Sequence, residues 1–224
     1  MAVWVLVEGA GLSPQTLGDS ICVLGSIPAE VTGRPAGWGS GPCRPGGLGW
    51  ESLVTSMFLH GSWLHLVGNL WFLWIFGNNV EDSMGHLHFF AFYLVTGVAA
   101  ALAHVVADPA STVPMVGASG AISAVMGAYL VLYPRARVAT LFWIVVFVRV
   151  VQLPAWVILG YWFLLQLAST GTAGTGGGVA YAAHVGGFAA GALLIKLFEN
   201  PRLVSAKRKG VAPLPRGPDR GGWW

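Results

Sequence analysis

Two short segments of this 224-residue chain hold a serine and a histidine in surroundings that are otherwise apolar. Ser119 lies in GASGA, and His184 lies in AHVGGFAAG. A serine hydroxyl becomes a nucleophile when a neighbouring imidazole accepts its proton, and the imidazole can later protonate the leaving group. The pair therefore predicts acyl-transfer chemistry, provided that the fold brings the two side chains within hydrogen-bond distance.

Two further polar residues, His65 and Asn69, lie four residues apart in HGSWLHLVGNLWF. This spacing places both side chains on one face of a helix. Their N–H groups, together with the backbone N–H of Ser119, are candidate donors to an oxyanion. None of the nine Asp and Glu residues lies inside a predicted span near Ser119 or His184, so the sequence predicts a Ser–His dyad instead of a triad.

Apolar elements must position these side chains, because 55% of the residues are hydrophobic and only 9% are charged. A soluble globular domain has about 25% charged residues. The composition therefore predicts a membrane protein that contacts the lipid bilayer. No nucleic-acid-binding pattern occurs, and the net charge of +3 is better explained by membrane topology.

The predicted membrane domain covers residues 1–198. Its helices are expected at about 63–80, 87–107, 114–133, 154–168 and 179–198. The tract from 138 to 168 is too long for one span and is interrupted at Arg149 and Gln152, so we expect residues 138–150 to be interfacial or re-entrant. We also expect residues 1–18 to form a partial first helix, either because the chain is a fragment or because its start codon lies downstream of the true one. Residues 19–62 are expected to form an outer loop, and residues 199–224 a disordered, basic cytoplasmic tail.

Basic residues predict the orientation of the chain. Arg135 and Arg137 follow the span that contains Ser119, and a second basic group follows the last span: Lys196, Arg202, Lys207, Arg208 and Lys209. The positive-inside rule places both of these ends in the cytoplasm. The two spans that begin with Ser119 and His184 therefore start on the outer side, and His65 and Asn69 lie at a similar depth.

The segments GASGA, AHVGGFAAG and HGSWLHLVGN, in separate spans, resemble the rhomboid family of intramembrane serine proteases. The resemblance covers about residues 25–198. It implies an all-α polytopic membrane protein with a rhomboid-like six-helix bundle and a water-filled cavity that opens outward. A bacterial plasma membrane is the expected location, with the C-terminus in the cytoplasm.

The same resemblance assigns roles to individual residues. Ser119 and His184 match the catalytic dyad, and His65 and Asn69 match positions that support the oxyanion. His60 matches a histidine that holds the first outer loop. Structural roles near the site are expected for three glycines: Gly117, Gly120 and Gly187. Some family members carry an aromatic residue one turn after the nucleophile, where this chain has Ser123.

The predicted activity is an endopeptidase without cofactor or metal, whose substrates are transmembrane or membrane-proximal segments of single-span proteins. Two alternatives remain open at this point. One is a catalytically inactive relative that binds membrane clients, and the other is a transporter or metal carrier that uses His60, His65 and His184. Cys22 and Cys43 both fall in the predicted outer loop, where their spacing leaves a disulfide possible but undecided.

Overall fold

The computed structural model describes residues 14–34, 43–144, 147–170 and 179–208. The first helices are α1 (Pro14–Leu24), α2 (Pro28–Thr32), α3 (Ser52–Thr55) and α4 (Trp63–Phe72), and a π-helical segment (Leu73–Gly77) joins α4 to α5 (Asn78–Met84). The later helices are α6 (His86–Ala107), α7 (Ser119–Leu132), α8 (Ala155–Thr170), α9 (Tyr181–Phe198) and α10 (Pro201–Arg208). Two strands, β1 (Arg137–Ile144) and β2 (Phe147–Pro154), lie between α7 and α8.

The helices form a bundle with an apolar outer surface. Of the described helices, α6 and α9 are long and apolar enough to cross a membrane, and α7 and α8 are shorter apolar helices. Large side chains such as Leu87 and Leu193 are 78% and 77% exposed, which suits a surface that faces lipid. The predicted helical bundle is therefore confirmed.

Helix α7 lies at the centre of the bundle, where glycines allow α9 to approach its backbone. A Cβ atom added to Gly191 would lie 1.9 Å from the carbonyl oxygen of Ala124. A Cβ atom on Gly127 would lie 2.1 Å from the carbonyl oxygen of Phe188 on the opposite helix. Both helices therefore need glycine at their contact, as small-residue patterns in membrane helices predict.

The segment predicted as the outer loop is linked to the chain that leads into α7. A disulfide joins Cys22 of α1 to Cys43, which settles the pairing that the sequence left open. Ser26 and Met115 exchange two backbone hydrogen bonds with N–O distances of 3.0 and 2.8 Å. The region of the disulfide is therefore attached to the chain just before Ser119.

Both ends of the chain differ from the sequence prediction. Residues 1–13 of the predicted partial helix lie outside the described residues, and α1 continues to Leu24, into the range predicted as a loop. Part of the tail is also ordered, because Pro201–Arg208 forms α10. Val204 of α10 is 6% exposed in the core, and Lys207 forms an ion pair of 2.9 Å with Asp82. Residues 209–224 lie outside the described residues.

The segment between α7 and α8 is an antiparallel hairpin, where an interfacial or re-entrant piece was predicted at 138–150. The register pairs Arg137 with Pro154 and Ile144 with Phe147. Apolar β-branched and aromatic residues dominate both strands, and such residues favour strands. Pro154 ends β2, and α8 runs from Ala155 to Thr170 instead of the predicted 154–168.

We predict that Gly191→Ala destabilises the bundle, because the new methyl group would overlap the Ala124 carbonyl oxygen. Overpacking of this kind typically lowers the free energy of unfolding by about 1–3 kcal/mol. Equilibrium or thermal unfolding in detergent measures the effect. Gly160→Ala in α8 is the matched control, since a Cβ atom at Gly160 meets nothing within 4 Å. Equal stability of the two variants would contradict the prediction.

Candidate active site

Ser119 is the first residue of α7, and a tight turn precedes it. Gly117 in this turn has a φ of +123°, a conformation that residues with side chains rarely adopt. The Gly117 N–H donates a hydrogen bond of 2.9 Å to the carbonyl of Ser56. The turn therefore places the Ser119 side chain at the start of α7, where backbone N–H groups lack partners within the helix.

The structure brings Ser119 and His184 together. The Ser119 Oγ atom lies 2.8 Å from Nε2 of His184, which is in the first turn of α9 and is 9% exposed. Gly187 of α9 permits this approach, since a Cβ atom on Gly187 would lie 2.2 Å from the carbonyl oxygen of Gly120 in α7. The hydroxyl can therefore donate to an imidazole nitrogen, the arrangement that general-base activation of a serine requires.

The other nitrogen of the imidazole contacts a residue that the sequence analysis did not identify. Nδ1 of His184 lies 2.8 Å from Oε1 of Gln166 in α8. Gln166 is a polar residue within the apolar segment ILGYWFLLQL, and polar residues at membrane depth are a known signal of function. Gln166 could have been identified from the sequence if the polar residues of the predicted helix at 154–168 had been considered as well.

An aromatic residue of α8 packs against the same imidazole. The ring centroid of Trp162 lies 5.9 Å from that of His184, with an angle of 35° between the planes. Ser123, at the position where some relatives have an aromatic residue, instead donates a hydrogen bond of 2.6 Å to the carbonyl of Ser119. Trp162 and Gln166 are four residues apart, so one face of α8 contacts His184 twice.

His65 and Asn69 of α4 both pack against the turn before Ser119. A Cβ atom on Gly117 would lie 2.7 Å from Nε2 of His65 and 3.7 Å from Nδ2 of Asn69. Asn69 is 6% exposed, and its Nδ2 atom has no hydrogen-bond partner among the described residues. An unsatisfied buried donor costs about 1–3 kcal/mol, so each such group in a native structure calls for an explanation.

Comparison with known protein families matches residues 48–200 to the Rhomboid domain. The chain belongs to the rhomboid family. The predicted rhomboid-like fold is thereby confirmed, and the protein is an integral membrane protein.

Three similar proteins illustrate the range of this rhomboid's relatives. Rhomboid protein 1, mitochondrial, of Saccharomyces cerevisiae is 34% identical over 148 residues, which cover 63% of this chain and 40% of the relative. Rhomboid-like protein 11, chloroplastic, of Arabidopsis thaliana is 45% identical over 73 residues, which cover 33% of this chain and 26% of the relative. The Presenilin-associated rhomboid-like protein, mitochondrial, of Homo sapiens is 34% identical over 92 residues, which cover 40% of this chain and 24% of the relative. The chain thus spans less than half of the length of each of these relatives.

His60 lies in this rhomboid's loop before α4 and is fully buried. Its ring meets that of His65 edge to face, with 5.2 Å between the centroids. Burial, together with the nearby His65, lowers the pKa of His60 from 6.5 to about 4. His60 is therefore a neutral side chain in the loop, and its ring packs against that of His65 in α4.

The metal-carrier alternative needs a cluster of ligands. Within the described ranges, no group of three or more His, Cys, Asp or Glu side chains is placed so that it could hold a metal ion. His184 instead contacts Ser119 and Gln166 through its two ring nitrogens. Both ring nitrogens of His184 therefore contact side chains of other described residues.

The burial of His60 predicts a pH-dependent stability. Its pKa is about 4 in the folded protein and 6.5 as an ordinary value, so between these values the unfolded chain binds the proton more readily. The contribution of neutral His60 to the free energy of unfolding is complete above pH 6.5. It is lost as the pH falls towards 4, and the loss reaches about 3 kcal/mol. The free energy of unfolding, measured across this range, should fall less steeply in His60→Gln. Identical slopes for both proteins would refute this role of His60.

Proposed function

We propose that this rhomboid is an intramembrane serine endopeptidase that cleaves transmembrane or membrane-proximal segments of single-span proteins. The observation that carries the proposal is the distance of 2.8 Å between Ser119 Oγ and His184 Nε2. Ser119 acts as the nucleophile, and His184 acts as the general base and then as the general acid. The reaction needs no group beyond the side chains, the backbone and water.

The chemistry proceeds in two halves. His184 Nε2 accepts the Ser119 proton while Oγ bonds to the scissile carbonyl carbon, which forms a tetrahedral oxyanion. The imidazolium then protonates the leaving amine as the C–N bond breaks, and an acyl-enzyme remains. A water molecule gives its proton to Nε2, adds to the ester carbonyl and releases the new carboxyl end, and Ser119 recovers its proton.

The oxyanion needs donors that are in place before charge develops. The Ser119 backbone N–H, at the start of α7, is one candidate. His65 and Asn69 are the others, because both pack against Gly117, two residues before the nucleophile. The buried Nδ2 of Asn69, without a partner among the described residues, is suited to donate to an anion that exists only during the reaction.

Substrate selection follows from the cost of exposing a peptide bond in lipid. A helical carbonyl is hydrogen-bonded, and unwinding the helix in hydrocarbon costs several kcal/mol for each unsatisfied group. Segments with helix-breaking residues near the membrane surface need less unwinding. We therefore propose that substrates carry glycine or other helix-breaking residues close to the scissile bond.

The orientation that we propose puts the site on the outer side of a bacterial plasma membrane and the C-terminus in the cytoplasm. Arg135 and Arg137 follow α7 at the end opposite to Ser119, and Lys207 lies beyond the far end of α9. This distribution obeys the positive-inside rule. The Cys22–Cys43 disulfide agrees with it, since disulfides persist in oxidising compartments and this one is linked to the segment before Ser119.

Removing either reacting side chain should abolish proteolysis. We expect Ser119→Ala and His184→Ala each to lower cleavage of a generic single-span substrate in liposomes by about 10³-fold or more, because both serve the same step. Helix content and melting temperature should stay near those of the unmodified protein. Ser123→Ala, one turn along α7, removes a hydroxyl that bonds to the helix backbone and should retain most activity.

Two results would contradict the protease assignment. One is cleavage at the unmodified rate by Ser119→Ala. The other is a folded, unmodified protein that neither cleaves substrates nor reacts with a fluorophosphonate at Ser119, and this result would favour the client-binding alternative.

Asn69→Ala tests the oxyanion role, since an amide moves no proton in the reaction. If Nδ2 donates to the oxyanion, its loss should lower kcat by up to about 10²- to 10³-fold with little change in KM. Gly68→Ala is the control in the same helix, because a Cβ atom there meets nothing within 4 Å. A lower melting temperature with unchanged kcat would show that Asn69 only connects helices.

A further inference from the structure

We propose that Gln166 is a positioning residue for His184, which makes the reactive unit a Ser–His–Gln arrangement built from three helices. The observation is the distance of 2.8 Å between Gln166 Oε1 and His184 Nδ1. The inference rests on the proteolytic function proposed above. It goes beyond that function by assigning a task to α8.

The contact sets the tautomer of the imidazole. A carbonyl oxygen only accepts hydrogen bonds, so Nδ1 must carry the single proton of the neutral ring. Nε2 is then unprotonated at 2.8 Å from Ser119 Oγ and is ready to accept the hydroxyl proton. The opposite tautomer would direct an N–H towards Ser119 and could not serve as the base.

The contact also limits how the ring turns. Gln166 holds one edge of the imidazole, and Trp162 packs on the ring with 5.9 Å between the centroids. Ser119 bonds to the opposite nitrogen. Rotation of the ring would break one contact or the other, so α8 holds the base in its productive direction.

A neutral amide suits this position better than a carboxylate would. After proton transfer, the carbonyl dipole of Gln166 stabilises the Nδ1–H of the imidazolium. An Asp or Glu would do so more strongly, but burying its charge at membrane depth carries a large desolvation penalty. Amide side chains already replace the acid in papain-like proteases, which use Cys–His–Asn.

The environment of Gln166 favours a hydrogen bond between its side-chain amide and His184. α8 contains no Asp, Glu, Lys or Arg, and the residues that directly precede Gln166 are apolar. The Thr170 hydroxyl donates to the backbone carbonyl of Gln166 and not to its side chain. A half-buried amide side chain is unfavourable there unless it is hydrogen-bonded, and His184 supplies the bond.

The test compares Gln166→Leu with Gln166→Glu in liposomes that contain a single-span substrate. Gln166→Leu removes the acceptor and should lower kcat by about 10- to 100-fold with little change in KM, the scale expected when a reacting group loses its alignment. Gln166→Glu keeps an acceptor for Nδ1 although it adds a charge, so its kcat should lie between those of Gln166→Leu and the unmodified protein. Gln152→Leu, in the exposed hairpin strand β2, is the matched control and should leave kcat unchanged.

A spectroscopic measurement separates positioning from simple packing. In protein labelled with ¹⁵N-histidine, the His184 signal should show a protonated Nδ1 and an unprotonated Nε2, and Gln166→Leu should shift it towards the other tautomer. An unchanged kcat in a folded Gln166→Leu variant would overturn the inference. Equal losses in the Leu and Glu variants, together with an unchanged tautomer, would also overturn it. If the unmodified protein does not cleave the substrate or react at Ser119, the proposed function fails instead.

Discussion

The backbone contact between α7 and α9 is the constraint on which the rest of the structure depends. Membrane helices gain little from the hydrophobic effect when they associate, so close packing must hold them together. Gly127 and Gly191 let each helix reach a carbonyl of the other. Ser119 and His184 lie in the first turns of these two helices, and their 2.8 Å hydrogen bond is possible because the helices approach so closely there. The small residues that pack the bundle thus also set the distance between Ser119 and His184.

Two further helices, α4 and α8, contribute side chains to the site. α4 brings His65 and Asn69 against Gly117, so the turn before Ser119 and the two candidate donors are positioned together. α8 brings Gln166 to the far nitrogen of His184. A small displacement of α8 would therefore change the orientation of the His184 ring without moving Ser119. The site depends on four helices, although Ser119 and His184 belong to only two of them.

Sequence patterns predicted those features that are determined by a particular residue type at a particular position. Ser119 and His184 stood out because polar groups are rare in apolar spans, and structural roles near them were expected for Gly117, Gly120 and Gly187. The role of Gln166 depends on the rotation of α8 about its axis, which a single sequence does not determine. The hairpin was missed because a short apolar run gives the same pattern in a strand and in a buried helix. α10 was missed because contacts with distant residues stabilise it, among them Asp82 and the ring of Tyr133 beside Lys207.

The distribution of charge shows how the polar groups of the candidate site can be stable inside a bilayer. Helices α4, α6, α7 and α8 contain no Asp, Glu, Lys or Arg. The ion pairs among the described residues lie at the end of the bundle opposite to Ser119, where Lys207 meets Asp82, Lys196 meets Glu199 and His86 meets Glu81. Burial lowers the pKa of Lys207. Around Ser119, hydroxyl, imidazole and amide groups form the network, and it includes no carboxylate, Lys or Arg. In the proposed reaction, charge arises only when the proton moves, and fixed dipoles would then stabilise it without a permanent buried ion. A neutral third member next to His184 therefore follows from the same energetic constraint that keeps charged residues out of these helices.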